Sequence, residues 1–554
     1  MKTMNHKIRA IVLPGFFMAV LLLSGCSDWL TVEPEDGVTK DNYWNTKEEV
    51  YSALMGCYSA MIEDGMPEKM FLWGELRGET IMPTTNTPTN IQSVMDGDIV
   101  STNSVTAWKQ FYKVINQCNT LIEYASLARK SDESFTSGML VQYQAEAVAI
   151  RSLMYFYLVR AFRDVPFIAQ AIVSDDQNLQ IAKTTGTVIL DSLIYDLESV
   201  AGKMSTRFGD DPTVNKGRFT AYGVYSLLAD MYLWKEDYAG CIRNCDKVIG
   251  SGQISLLYAD GSNLVETETN NAITGKLDTV YYLSEGEADE FYKKMYYDGN
   301  CDESIFELQR ESDFPNGDYY DMFCSNAWFS PRTDVIKDNF FISSEVDNSW
   351  YDMRSEGVSY KGSYIWKYIG TARQGSAQSL MRTRETMTGN TIVYRLADVM
   401  LMKAEALVQQ AKAVENDSAS VASGYVKQKL GEAWDIVKKI RLRSNATETT
   451  DLCNGITDAS GLSASTMEKF VYEERGRELM FEGKRWFDAL RHAKRNNYEG
   501  NNLNYLTNVA MYSASAAKVS NLQAKLKNKD FHYLPINQSE INANKKLVQN
   551  PFYN

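Results

Sequence analysis

Six aromatics crowd into residues 314–329: Phe314, Tyr319, Tyr320, Phe323, Trp328 and Phe329, with Asn316, Asp318, Asp321 and Asn326 among them. Aromatic faces stack on the C–H faces of a sugar ring, and amide or carboxylate groups bind its hydroxyls. This mixture suits a neutral, hydroxyl-rich ligand. Trp350-Tyr351 lies further along, and Trp73 and Arg77 stand in a polar, irregular stretch with Glu75, Asn86 and Asn90. The residues nominate Trp73, Tyr320, Trp328 and Trp350 as stacking faces, with Arg77 and Asn326 binding hydroxyls. Core packing competes as the role of each one, because large aromatics are mostly buried.

Other chemistry is thinly represented. Only three histidines are present (His6, His492, His532), too few for a His-rich zinc site. Asp96-Gly97-Asp98 offers two acids without the further ligands of a calcium loop. No metal or cofactor is expected. There is no Gly-x-Ser-x-Gly, no phosphate-binding Gly-x-x-x-x-Gly-Lys-Ser/Thr and no His-Glu-x-x-His. Paired carboxylates for glycoside hydrolysis leave no linear signature, since their separation is spatial, so a surface glycosidase stands as the enzyme alternative. With 57 basic and 71 acidic residues the formal charge is −14, which argues against nucleic acid as a partner. Acidic neighbours such as Glu473-Glu474 read as helix-surface groups, with Glu473–Arg477 and Lys484–Asp488 pairing at i,i+4.

The elements that must position these residues are mostly helical. A Thr46-Lys-Glu-Glu capping signature opens a helix running to Glu63. Helical periodicity recurs over 104–128, 146–163, 188–204, 219–234, 238–249, 392–410, 425–443 and 466–493. Leu228-Ala229 with Tyr232, then Cys241, Cys245 and Val248, follow the two-helix pattern of a tetratricopeptide repeat; Ala404 and Leu407, then Ala433, Val437 and Ile440, give a second copy with a longer loop. Such repeats present a broad binding face rather than a cleft. Between them, residues 251–390 lose periodicity and hold 22 aromatics in 140 residues, about 16% against 12% overall. Cys57, Cys118, Cys241 and Cys245 fall on apolar helical stripes and read as small core residues. The fold class these patterns predict is mostly α, with tetratricopeptide-like helical repeats and a loop-rich, aromatic-rich variable part.

The N-terminus reads as an address. Lys2, Lys7 and Arg9 precede an apolar run from Ile11 to Leu23, too short to span a bilayer, and Leu23-Ser-Gly-Cys26 resembles a lipobox. Cys26 is the expected lipidation site. The expected division is 1–25 signal peptide, 26–42 lipidated Cys and tether, 43–250 N-terminal helical repeats, 251–390 variable part, and 391–554 C-terminal helices and motifs.

Five ordered segments carry a family resemblance. They are Cys26-Ser-Asp-Trp-Leu with Asn42-Tyr-Trp-Asn-Thr-Lys-Glu-Glu-Val; Glu146-Ala-x-x-x-Arg151 through Tyr155-Phe to Asp164-Val-Pro166; Gly217-Arg-Phe-Thr-Ala221; Tyr394-Arg-Leu-Ala-Asp-Val-Met-Leu-Met-Lys-Ala-Glu-Ala406; and Glu474-Arg-Gly-Arg-Glu-Leu-x-Phe-Glu-Gly483 with Leu534-Pro-Ile-Asn537 and Gln549-Asn-Pro551. Together they resemble the SusD/RagB family of outer-membrane nutrient-binding lipoproteins, over nearly the whole chain. Asp398 stands where that family often has Glu. The resemblance implies a non-catalytic, surface-exposed subunit that captures oligosaccharide and delivers it to a SusC-like TonB-dependent transporter, with a peptide-binding subunit as the alternative. It also implies a mostly helical fold with about four tetratricopeptide-like helix pairs and a variable loop-rich part, in which the shared motifs are scaffold and ligand contacts vary, so no site residue carries over by motif.

Overall fold

A computed structural model describes residues 43–63, 65–174, 176–258, 265–270, 275, 277–282, 290–340, 352, 354, 358–371, 380–422, 424–444 and 461–554. The helices used below are α1 (Lys47–Ala60), α2 (Met66–Glu75), α3 (Lys109–Ser131), α4 (Ser137–Phe162), α5 (Gly186–Ala201), α6 (Ala221–Trp234), α7 (Tyr238–Ile249), α8 (Gly317–Phe323), α9 (Leu396–Val414), α10 (Tyr425–Arg443), α11 (Ala464–Glu478), α12 (Arg485–Lys494) and α13 (Asn504–Ser513). The strands used are β1 (Ile81–Pro83), β2 (Ser304–Leu308), β3 (Phe329–Pro331) and β4 (Thr391–Arg395). The protein is mostly helical with a few two-stranded ladders. No helix among the described residues is long and apolar enough to cross a membrane.

Local sequence explains the helix ends. Thr46 and Glu49 form the expected capping box on α1. Helix α7 occupies its expected span, capped by Asp237 accepting from the Gly240 N–H at 2.8 Å. The pairs α3/α4, α6/α7 and α9/α10 pack closely, with α5 between α4 and α6 and with α7 against α9. The repeat-pattern residues Leu228, Ala229, Cys241, Cys245, Val248, Ala404, Leu407, Ala433, Val437 and Ile440 are all buried. Gly240 permits the close approach of α6 and α7: a Cβ there would lie 2.5 Å from the Tyr232 ring. Cys57 and Cys118 are likewise fully buried and free, as are Cys241 and Cys245.

Two readings need correction. The single helix expected over 466–493 is two helices, α11 and α12, because Phe481 and Gly483 adopt left-handed conformations (φ 66° and 69°) that end the first. The expected i,i+4 surface pairs are replaced by others. Glu473 pairs with Lys469, Arg477 with buried Glu474, Lys484 with Asp398, and Asp488 with Arg475 and Arg491. Most of these charges lie inside the molecule, where they join segments distant in sequence.

Glu478, at the end of α11, is one hub. Its carboxylate accepts from Arg395 at 2.6 Å and Arg354 at 3.1 Å, and also from Arg443. Arg395 continues to Glu303 and Glu482. The family-type motifs therefore fold into a buried ionic lattice that ties α9, α10 and α11 to the variable part. Near the other end, Glu146 on α4 accepts two bonds from Arg218 (2.6 and 3.0 Å) and one from the Tyr58 hydroxyl on α1 (2.7 Å). These motif residues are structural.

Candidate functional site

The aromatic-rich window folds into a short helix and a strand, and helical geometry sorts its rings. Asn316 caps α8 by accepting from the Tyr319 N–H at 3.2 Å. Residues 319 and 323 share the inward face. Tyr319 and Phe323 are buried against Tyr368 and Phe71. Tyr320 and Asp321 turn outward, and the Arg384 guanidinium lies 4.8 Å from the Tyr320 ring while pairing with Asp321. Phe314 is exposed and Phe329 fully buried.

Trp328 is half-buried and held by its backbone. Its N–H donates to the Met322 carbonyl at 3.0 Å, and its carbonyl accepts from the Thr84 N–H (3.1 Å) and the Thr87 hydroxyl (2.6 Å). The Thr84 hydroxyl donates to the Ala327 carbonyl at 2.6 Å. The ladder β1–β3 begins beside this clamp, with Pro83 opposite Phe329 and Ile81 opposite Pro331. Asn326 precedes it, exposed, at φ 56°, a left-handed position that Asn tolerates better than most residues. The clamped loop offers a half-buried indole and an exposed amide, and Tyr320 on α8 of the same segment lies under a guanidinium; these groups can stack on and hydrogen-bond a ring bearing hydroxyls.

Trp73 and Arg77 do not belong to that surface. In the stretch read as irregular, Trp73 and Glu75 lie on helix α2, in which Pro67 sits at the favourable first turn, and Arg77 follows its end. Gly74 is no breaker; it allows contact with the next motif, since a Cβ there would strike the Gly483 carbonyl at 1.7 Å. Trp73 is 2% exposed, stacked on Phe111 (4.5 Å, 17°) and edge-on to Phe162, with its indole N–H donating to the Val105 carbonyl at 2.8 Å. Arg77 is 4% exposed, lies 3.8 Å over the Trp486 ring and donates to the His532 carbonyl at 3.0 Å. Burial pulls its pKa down to about 10. Neither side chain reaches solvent to meet a ligand. Trp350 and Cys26 lie outside the described residues. Asp96 and Asp98 are engaged by Ser515, Lys518 and Lys525, and no cluster of metal-ligating residues occurs among the described residues.

Sequence reading missed Thr84, Thr87 and Arg384. The first two hide in an ordinary Pro-Thr-Thr-Asn-Thr-Pro turn, and Arg384 is 64 positions from Tyr320, so only tertiary structure joins them.

An acidic pair lies behind α8. Asp318 accepts from the Gly65 and Glu68 N–H groups at the start of α2. Burial, then the Asp318 charge, raises the Glu68 pKa to about 7. A carboxyl whose folded pKa exceeds its unfolded value near 4.3 loses stability as pH rises from about 4.5 to 7, and the loss is complete above that. Glu68→Gln should therefore raise the melting temperature at pH 8 and leave it unchanged at pH 4. A variant with equal gains at both pH values would show that ionisation of Glu68 carries no cost.

Residues 255–553 match the SusD family, and residues 28–233 match a second family described as starch-binding, associating with outer membrane. The chain belongs to the SusD family. Its members are non-catalytic binding proteins associated with the outer membrane, and membership implies a SusC partner. Two curated SusD-like proteins of Formosa agariphila are similar along most of the chain. P38 is 24% identical over 507 residues, covering 85% of this chain and 88% of P38; P2 is 25% identical over 499 residues, covering 86% and 89%. Among solved structures, a SusD superfamily protein from Bacteroides vulgatus superposes with TM-score 0.65 at 17% identity, covering 92% of this chain and 99% of that one. A laminarin-binding SusD-like protein superposes with TM-score 0.60 at 18% identity, covering 92% and 100%. At these identities the structural likeness establishes the fold.

Proposed function

We propose that this SusD-family protein captures a neutral oligosaccharide at the cell surface, through the platform of Trp328, Tyr320 and Asn326, and passes it to a SusC-like TonB-dependent transporter. The observation that carries this reading is the half-open Trp328 indole on a loop clamped by Thr84 and Thr87. A backbone already held in place loses little entropy when the side chain it carries binds. The laminarin-binding structural neighbour supports a glycan as the ligand. Trp350 remains a proposed contributor from the same variable part.

Trp328→Ala tests the platform. Its indole is only half-buried, so the melting temperature should fall slightly, while affinity for the cognate glycan should drop by about 2 kcal/mol or more, as for a central interface anchor. Calorimetry against laminarin, starch and xylan oligomers, with tryptic peptides as a control, identifies the ligand and measures the loss. Undiminished glycan binding by folded Trp328→Ala would remove the platform; selective binding of peptides would replace glycan by peptide as the cargo.

Attachment is proposed to run through lipid on Cys26, which two or more acyl chains would make stable. Cys26→Ala should leave unlipidated precursor or soluble protein, read by metabolic labelling with a fatty-acid probe. Unchanged labelling would place the anchor elsewhere. Protease shaving of intact wild-type cells should remove the protein if it faces outward.

A further inference from the structure

A pocket opens on the side of the molecule formed by α11, α12 and α13, with a volume of about 500 Å³. That lies within the ~300–1,000 Å³ typical of small-molecule sites. One face of α13 lines it: Asn504 and Asn508, one helical turn apart, carry exposed amides, and Tyr505 and Tyr512 are half-buried. Tyr472 on α11 closes another wall, edge-on to Tyr505 at 4.8 Å.

The charges in the lining cancel in pairs. Lys469 pairs with Glu473 at 3.6 Å, and Arg485 grips Glu79. That grip is one-sided: the Arg485 Nε and Nη2 both donate to Glu79 Oε1, at 2.7 and 2.5 Å. Glu79 Oε2 is left buried and without a hydrogen-bond partner among the described residues, as is the Tyr472 hydroxyl. Glu79 is 5% exposed and Tyr472 7%. Buried polar atoms of this kind are nearly always satisfied, by protein or by water, and these two belong to residues that line the pocket. A ligand suited to them donates to a carboxylate oxygen and exchanges a hydrogen bond with a phenol, beside rings and amides and in a lining with no net charge. A sugar hydroxyl does both, and sugar rings use the tyrosine faces and asparagine amides as well.

We propose that this pocket is a second saccharide site, taking one or two rings of a neutral sugar independently of the Trp328 platform. The ligand class comes from the pocket's own donors and acceptors; its part in uptake rests on the function proposed above. Glu79 lies five residues before Thr84 of the Trp328 clamp, at most ~18 Å along the chain. A glycan end released from one site has the other within a few sugar lengths.

The test is saturation-transfer NMR titration of the full mature chain with glucose, galactose, N-acetylglucosamine and their disaccharides. Asn508→Trp puts a bulky ring on an exposed helical position at the mouth and should weaken the pocket's binding at least tenfold. Tyr472→Phe keeps the packing and removes one unpartnered hydroxyl; it should weaken binding several-fold without lowering the melting temperature. Trp328→Ala should leave the pocket's affinity within twofold of wild type. The proposal is overturned if no sugar of the panel binds wild-type protein, if Asn508→Trp binds as wild type does, or if Trp328→Ala abolishes all binding. Loss in Asn508→Trp together with unchanged long-glycan binding in Trp328→Ala would keep the pocket and remove the platform.

Discussion

Glu478→Ala should destabilise the protein by about 3–5 kcal/mol, the cost of stranding buried charges. That is a large share of the ~5–15 kcal/mol available to a folded domain. The side chain is 2% exposed and receives Arg354, Arg395 and Arg443 from three separate segments. Burial pushes its carboxyl pKa upward, but the Arg443, Arg395 and Arg354 guanidiniums outweigh burial and hold it well below the usual carboxylate range. Removing it leaves three buried cations sharing Glu303, Glu474, Glu482 and Asp352. Urea unfolding at pH 7 measures the loss; a change under about 1 kcal/mol would mean that the remaining acids suffice. A second buried network, in which Arg475 joins Asp398, Asp488 and Glu405, sets an acid limit. Burial opposes ionisation of Asp398, yet Lys484 and Arg475 bring its pKa down to about 2. A folded pKa below the unfolded ~3.9 gives stability that is complete above about pH 4 and lost as pH falls through about 2. Melting temperature should fall steeply below pH 4, and Asp398→Asn should flatten that slope.

Trp73→Ala should cost about 3–5 kcal/mol as well, through cavity formation rather than charge. The indole fills the space between Phe111 and Phe162, and its N–H serves the buried Val105 carbonyl. Its loss empties a ring-sized volume and leaves that carbonyl unpaired. Glycan affinity measured well below the lowered melting temperature should equal wild type. This inverts the expectation for Trp328→Ala, so the two variants form a matched pair: one tryptophan for stability, one for ligand. A Trp73→Ala protein that melts normally but binds weakly would return Trp73 to the site.

The helices were legible because their causes are local. Thr46 and Glu49 are three residues apart, and the burial of Cys241, Cys245 and Val248 follows from helical period alone. The ordered motifs were enough to suggest the family. They did not reveal their own work: Glu474-Arg-Gly-Arg-Glu reads as an exposed charged stripe, yet its partners Arg354, Arg395 and Arg441 are 33 to 120 residues away and bury it. The tryptophans teach the same lesson. Trp73 directly follows Met70-Phe71-Leu72 and Trp328 stands between Ala327 and Phe329, so both have apolar neighbours in sequence and local context does not tell them apart. Trp73 is closed over by Phe111 and Phe162 from α3 and α4, whereas Trp328 is braced from behind by Thr84 and Thr87 and stays half open. Secondary structure depends on neighbours along the chain, which a sequence displays; exposure depends on neighbours across space, which only the tertiary structure assigns.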